Sequence, residues 1–529
     1  MAIINQHDKR SGITYVYESH SYWDKEKKQV RAKRRLIGRR DMETGEIKPT
    51  DGRGRRRKDK KEAEISTDKM SRKFYGATYL LDEIGKKLKI DSNLQACFPS
   101  TYKQILSLAY YMILEESSSL YRFEKWGYLH RHPYGADIPS QRVSDIFSGI
   151  TEDSKSRFHK LFAKCHNDKE HWFYDTTSIS SYSDTLKQVR YGKNRDDDKL
   201  PQINLALVYG SKSNLPFYYR KLAGNISDVS TIKNLLADFK SLDFNNVKIV
   251  MDRGFYSEGN INALLKNHIK FLIAPKSSLS FVRKEFDKAY DEFTSFEYYN
   301  EQYELYSTTV MLDWQYSCER PYKKDTLTSN KRVYLHMYYN LDKATEDKKS
   351  FNRRLMELRR ELLSGKRKPE NESAYKKYFT VKETAVRGIK VTVNEAAVHQ
   401  AKRYYGYFAL LSNEKMDSIS AIELYRNKDV IEKAFGNIKE RLNMRRTLVS
   451  SEQSLDGKLF VSYIGLIYLS YIKKHMEQAG LFEHYTIQGL FDKLDVIECF
   501  EYPKCSLRVG EITEKQKQLY EKLGIKPPI

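Results

Sequence analysis

The segment VMDRGF, residues 250–255, carries Asp252 out of an apolar, strand-like run directly into a glycine bend. FYDTTSI, residues 173–179, presents Asp175 in the same manner after aromatic residues. A carboxylate at a strand end can meet a ligand without being buried unpaired. Either aspartate alone also reads as a helix cap or a surface ion-pair partner. A third acid, Glu432, lies in YRNKDVIEKAFGNIK, where Lys428, Glu432 and Lys439 follow Tyr425 at offsets of 3, 7 and 14. At helical rotation these four fall in one stripe about 60° wide. An adjacent apolar stripe of Ile431, Ala434, Phe435, Ile438 and Leu442 suits packing on a sheet. Taken alone, the segment reads first as an ordinary amphipathic helix with its charges in solvent. Two aspartates and a glutamate together match two-metal phosphoryl chemistry. Mg²⁺ prefers hard oxygen donors, and two ions about 4 Å apart can activate an attacking hydroxyl and stabilise a leaving oxygen. No HExxH occurs and the histidines are dispersed, so no zinc cluster is evident.

These side chains need a sheet and a helix to bring them together. Strand patterns run over 171–177, 202–210, 215–224, 247–252 and 270–275, with helices near 229–240 and 257–268. Strands in succession, then separated by helices, predict a mixed α/β sheet. Tyrosine-rich strand-like stretches and a basic helix interrupt this rhythm over 281–402, which reads as an insertion; the last parent strand is placed at 405–412. A long helix is then expected from near Ser420 through Leu442, and another over 455–475. Upstream, helical periodicity governs 75–168: in TYKQILSLAYYMILEE, Ile105, Leu108, Ala109, Met112 and Ile113 share one face. Residues 1–50 read as short strands with a turn at Gly45. The expected divisions are a β-rich region over 1–50, a basic linker over 51–74, a helical DNA-binding domain over 75–168, a core over 169–280 and 403–450 flanking the insertion, and a helical C-terminal region over 451–529.

The 529 residues predict two to four domains. A net charge of +23 and a pI near 9.4 favour a polyanion, most often nucleic acid. The segment DGRGRRRKDKK, with Arg53, Arg55, Arg56, Arg57 and Lys58, reads either as a mobile arm on DNA phosphates or as a solvated linker. LFVSYIGLIYLSYI, residues 459–472, is shorter than the roughly 20 residues of a membrane span, and the amino terminus has no apolar signal core. Five scattered cysteines without a CxxC fit a reduced, intracellular protein.

The order of these pieces resembles a bacterial insertion-sequence transposase of the IS4-like superfamily, in the DDE, RNase H-like class. The resemblance rests on Asp175 in FYDTTSI, KLAGNISD at 221–228, Asp252 in VMDRGF, and the helix pattern Y-x2-K-x3-E-x6-K. The family's helix has arginine where Lys428 stands; lysine keeps the charge but loses the bidentate fork. The resemblance implies an RNase H-like core with a largely β insertion, and Asp175, Asp252 and Glu432 as a metal-binding catalytic triad using Mg²⁺, with Mn²⁺ able to substitute. It implies cleavage at terminal inverted repeats and transfer of the 3′-hydroxyl to target DNA by a homodimer in a synaptic complex, in the bacterial cytoplasm on the nucleoid. Tyr425, Lys428 and Lys439 would position phosphates, and Arg253 either contacts a phosphate or pairs with a neighbouring carboxylate. Trp314 in the insertion either stacks on unpaired bases or packs across the sheet. Asp228 in GNISD reads as structural or as a helix cap. Alternative functions are an RNase H-like nuclease that does not join DNA, and a catalytically silent DNA-binding regulator.

Overall fold

Trp172, Phe173 and Tyr174 are all buried, and so is nearly every residue that follows them to Ser181. A strand buried on both faces needs a covering layer on each side. It forms β1 (His171–Ser181), which pairs antiparallel with β2 (Gln202–Gly210), itself antiparallel to β3 (Pro216–Ala223). Helix α1 (Asp228–Ser241) then crosses to β4 (Lys248–Met251), parallel to β1, and α2 (Glu258–Lys266) crosses to β5 (Lys270–Ile273), parallel to β4. Parallel neighbours need such crossovers. The spatial order β3-β2-β1-β4-β5 is that of an RNase H-like sheet.

The computed structural model describes residues 2–24, 28–49, 70–116, 119–166, 170–183, 185–196, 198–320, 325–384, 388–447, 449, 451–502 and 506–528. The expected basic arm, Arg53, Arg55, Arg56, Arg57 and Lys58, lies outside them. The chain divides into two compact units, the smaller formed by residues up to Met70 with 502–505. In it, strands Ala2–His7, Thr14–Asp24, Gln29–Arg40 and Ile47–Pro49 make an antiparallel meander. The turn read at Gly45 is present, with φ of 72° and its amide bonded to the Asp41 carbonyl.

Two long strands within residues 305–340 extend the core sheet. β6 (Leu305–Arg320) and β7 (Asp325–Asn340) pair along their full lengths, and β8 (Tyr407–Ser412) lies between β7 and β5, antiparallel to both. After β7 comes a 23-residue helix, Leu341–Leu363. With the ribbon Phe379–Thr384 and Gly388–Val393 it encloses a small core of Leu358, Leu362, Tyr375, Phe379 and Val391.

Two readings of the helices change. The segment from Ser420 is not one continuous helix: it is α3 (Ser418–Arg426), a tight turn, α4 (Asp429–Gly436) and a π turn over Asn437–Arg441. At the break, the amides of Lys428, Val430 and Ile431 bond three residues back, which winds the backbone more tightly than an α-helix. The apolar helix α5 (Glu452–Gln478) has 27 residues and is, by length and composition, sufficient to cross a membrane. The shorter span expected from residues 459–472 is thus corrected. Its apolar window is 89% buried inside the protein, where the helices Tyr102–Leu114 and Ser140–Ser148 pack on it. The tail after 480 adds the helices Ile487–Asp495 and Glu514–Lys522, which cover the helix Gly76–Lys87 through buried Leu490, Leu494 and Tyr520.

Candidate active site

Strand register brings the two aspartates together. Tyr174 of β1 is the register partner of Met251 of β4, so Asp175 and Asp252 follow side by side. Asp252 leaves the sheet where β4 ends, as expected. Asp175 does not: it sits within β1, because that strand continues to Ser181 against β2. The ring of Phe255 lies 5.1 Å from that of Tyr174 and anchors the turn after Asp252 onto β1. Asp252 accepts from the Arg253 amide at 2.7 Å and from the Tyr425 hydroxyl at 2.7 Å.

Glu432 reaches the pair through Lys428. The Lys428 ammonium is 3.0 Å from Glu432 Oε1 and 3.8 Å from Asp175 Oδ2, so one cation spans the two carboxylates. Lys428 and Asp175 are 7% and 5% exposed, whereas the Glu432 side chain keeps 59% of its surface. The apolar stripe holds α4 in place: Ile431, Ala434, Phe435, Ile438 and Leu442 are all buried.

The charges respond to this packing. Burial pushes the Asp175 carboxyl pKa up, and the Lys428 and Arg195 cations only partly oppose it. For Asp252, burial acts upward too, but the Tyr425 hydroxyl, the Arg253 amide and the Lys428 charge outweigh it and hold the pKa low. Burial would lower Lys428, yet the fields of Asp175, Glu432 and Asp252 raise it, so it is a firm cation. Among the described residues, no three His, Cys, Asp or Glu side chains are gathered closely enough to ligate one ion as they stand. The donor chemistry nevertheless fits a hard divalent cation, and a positive charge, the Lys428 ammonium, already lies between two of the three carboxylates.

The remaining expected residues are placed differently. Lys439, on the π turn, donates to both oxygens of Asp196 at 2.9 and 2.7 Å. Arg253 is exposed and lines a cavity of about 610 Å³ with Asp252, Tyr425, Arg283 and Tyr404. Trp314 donates to Asn262 Oδ1 at 2.9 Å and meets Phe281 edge-on at 5.9 Å, which is packing of β6 against its neighbours. Of the two readings of Asp228, the structure shows the structural one and not the helix cap. Ser227 occupies the N-cap position without a side-chain bond, and Asp228 turns toward the site, where it accepts from the Thr176 hydroxyl at 2.6 Å.

Sequence reasoning missed Arg195. The segment linking β1 to β2 folds back along β1, held by Asn194 on the Ser180 hydroxyl at 3.1 Å. Arg195 thereby meets Asp228 Oδ2 at 2.9 Å, Thr176 Oγ1 at 2.7 Å and Asp175 Oδ1 at 3.4 Å. The run YGKNRDDDKL has no periodicity to reveal this; its only signal is an arginine beside acids between two strands.

A family model described as "Transposase DDE domain" matches residues 166–466, more than half of the 529-residue chain. Among solved structures, the chain is similar to one in the cryo-EM structure of the piggyBac transposase synaptic complex with hairpin DNA. The identity is 11% and the TM-score 0.30, over 78% of this chain and 70% of that one. No curated protein matches the chain.

Proposed function

The chain belongs to the transposase DDE-domain family, and we propose that it cuts DNA at terminal inverted repeats and joins the released 3′-hydroxyl ends to target DNA. The observation that supports this reading is the register that sets Asp175 beside Asp252, together with the buried Lys428 ammonium between Asp175 and Glu432. The three carboxylates would hold Mg²⁺, or Mn²⁺ in its place. Such ions supply Lewis acidity and a hydroxyl activated at neutral pH. The chain's own residues do the rest. The Tyr425 hydroxyl fixes one oxygen of Asp252 and leaves the other for a ligand. Lys428 offsets the carboxylate charge that would otherwise repel a DNA phosphate, and exposed Arg253, beside the cavity next to Asp252, is placed to hold that phosphate. Lys439 reaches a phosphate only by exchanging its bond to Asp196. Cutting both ends requires both to be held at once, so the working unit is a homodimer on paired double-stranded ends.

The test uses paired end DNA, a target duplex and either Mg²⁺ or Mn²⁺. Cutting and joining are expected for the native chain, and neither for D175A, D252A or E432A, with DNA binding kept in all three. Cutting without joining supports a nuclease instead. Metal-independent binding with no chemistry supports a silent regulator, and activity retained in all three variants removes the site.

A further inference from the structure

Asp228 and Arg195 form a second charged pair behind Asp175. The Arg195 guanidinium has two carboxylates in reach and divides itself unequally, with Nη2 at 2.9 Å from Asp228 Oδ2 and Nη1 at 3.4 Å from Asp175 Oδ1. Nη1 also donates to the Thr176 carbonyl and Nη2 to the Thr176 hydroxyl. The other oxygen of Asp228 accepts a hydrogen bond from the Thr176 hydroxyl at 2.6 Å. Space for Asp228 comes from the turn after Asp252. A Cβ on Gly254 would stand 3.1 Å from Asp228 Oδ2, a tight contact, so the glycine of VMDRGF leaves room beside Asp228. One carboxylate therefore bonds to Thr176 beside Asp175 and lies near Gly254 beyond Asp252.

We infer that Asp228 is a positioning residue that draws Arg195 away from Asp175 and so keeps the Asp175 carboxylate available to a divalent cation. Guanidinium and carboxylate prefer a two-point fork. With Asp228 uncharged, Arg195 has one carboxylate left in reach, and closing that fork on Asp175 occupies the oxygens that would ligate the ion. The GNISD segment thus serves the site through charge competition. This inference rests on the reading of Asp175, Asp252 and Glu432 as the cation site.

The experiment measures Mn²⁺ binding directly, from the electron paramagnetic resonance signal of free Mn²⁺, with the full chain and no DNA. Asp228→Asn keeps an acceptor for Thr176 and loses the charge that holds Arg195. It is expected to weaken Mn²⁺ binding about tenfold or more, the usual effect of removing an outer-shell partner. The double variant R195Q/D228N is expected to recover most of that loss, because no guanidinium is left to close on Asp175. Rescue by a second truncation is something a merely structural role does not produce. Unchanged Mn²⁺ affinity in D228N, or a double variant as weak as D228N alone, overturns the inference. D252N is the internal reference. If it loses Mn²⁺ while D228N does not, only this inference fails; if D252N also binds Mn²⁺ normally, the cation site itself has been misplaced and the inference falls with it.

Discussion

Asp175 is held where its charge is least comfortable, within a buried strand with a lysine at 3.8 Å and an arginine at 3.4 Å. Its folded pKa lies above the usual carboxylate value, so the folded state takes up a proton more readily than the unfolded chain does. A raised acid pKa contributes stability below the unfolded value, about 3.9, and that stability is lost as pH rises through the folded value. D175N is therefore expected to be more stable than the native chain at pH 7.5 without divalent ions, with the advantage shrinking toward pH 4. Urea unfolding midpoints at the two pH values check this. Added Mn²⁺ should stabilise the native chain and not D175N, because only a ligand bound to the folded state shifts the midpoint. Asp252 has the opposite sign: its lowered pKa contributes stability above about pH 4 that fades as pH falls through the folded value. Two neighbouring carboxylates with divergent behaviour are a mark of functional sites. At this scale the three acids were legible, since residue type, turn context and spacing are local properties. Arg195 was not, because its partners are set by a loop folding back along β1.

The core elements follow their local patterns closely. Strands β1 to β5 and helices α1 and α2 lie within a few residues of the hydrophobic periodicity that marks them. What local pattern could not report was the break at Lys428 and the π turn at Lys439. A stripe drawn at a constant helical rotation passes through both as though the backbone were uniform. Close approach between elements was also invisible. In α5, a Cβ on Gly457 would collide with the backbone of Phe147 in the helix Ser140–Ser148. A glycine in a helix interior ordinarily costs about 1 kcal/mol relative to alanine, so Gly457→Ala would stabilise an exposed helix. Here overpacking costs roughly 1–3 kcal/mol and wins. G457A is expected to lower stability by about 2 kcal/mol, read from the shift in urea midpoint; a gain would mean that the two helices are not in contact there.

For the whole molecule, the net charge of +23 sets the conditions of DNA binding more than any single contact does. Part of that charge is displayed on the N-terminal meander, where Lys33, Arg34, Arg35, Arg39 and Arg40 are exposed along the strand Gln29–Arg40. Each phosphate neutralised contributes close to one unit to the slope of log affinity against log salt. Replacing Lys33, Arg35 and Arg39 by glutamine is expected to flatten that slope by about three units if this strand tracks the backbone. Fluorescence anisotropy with end DNA over a range of salt measures it, and an unchanged slope places the phosphate contacts elsewhere. The core is shared across the whole larger unit: one apolar cluster runs from Ala77 to Ile525, and α5 contributes to it from Leu455 to Met476. Its hydrophobic run resembles a membrane span only until its partners are known, since a helix apolar all round needs burial without specifying in what.

By itself the sequence determined the chemistry available to this chain: three acids in strand, turn and helix contexts, a sheet with crossover helices, and a strongly basic surface. Those properties arise from residues near one another in the chain. The tertiary structure alone decided that Asp175 and Asp252 are neighbours, that Lys428 bridges Asp175 to Glu432, and that Asp228 competes with Asp175 for Arg195. Register between strands and the path of a returning loop are set by packing among segments far apart in sequence, and no local pattern encodes them.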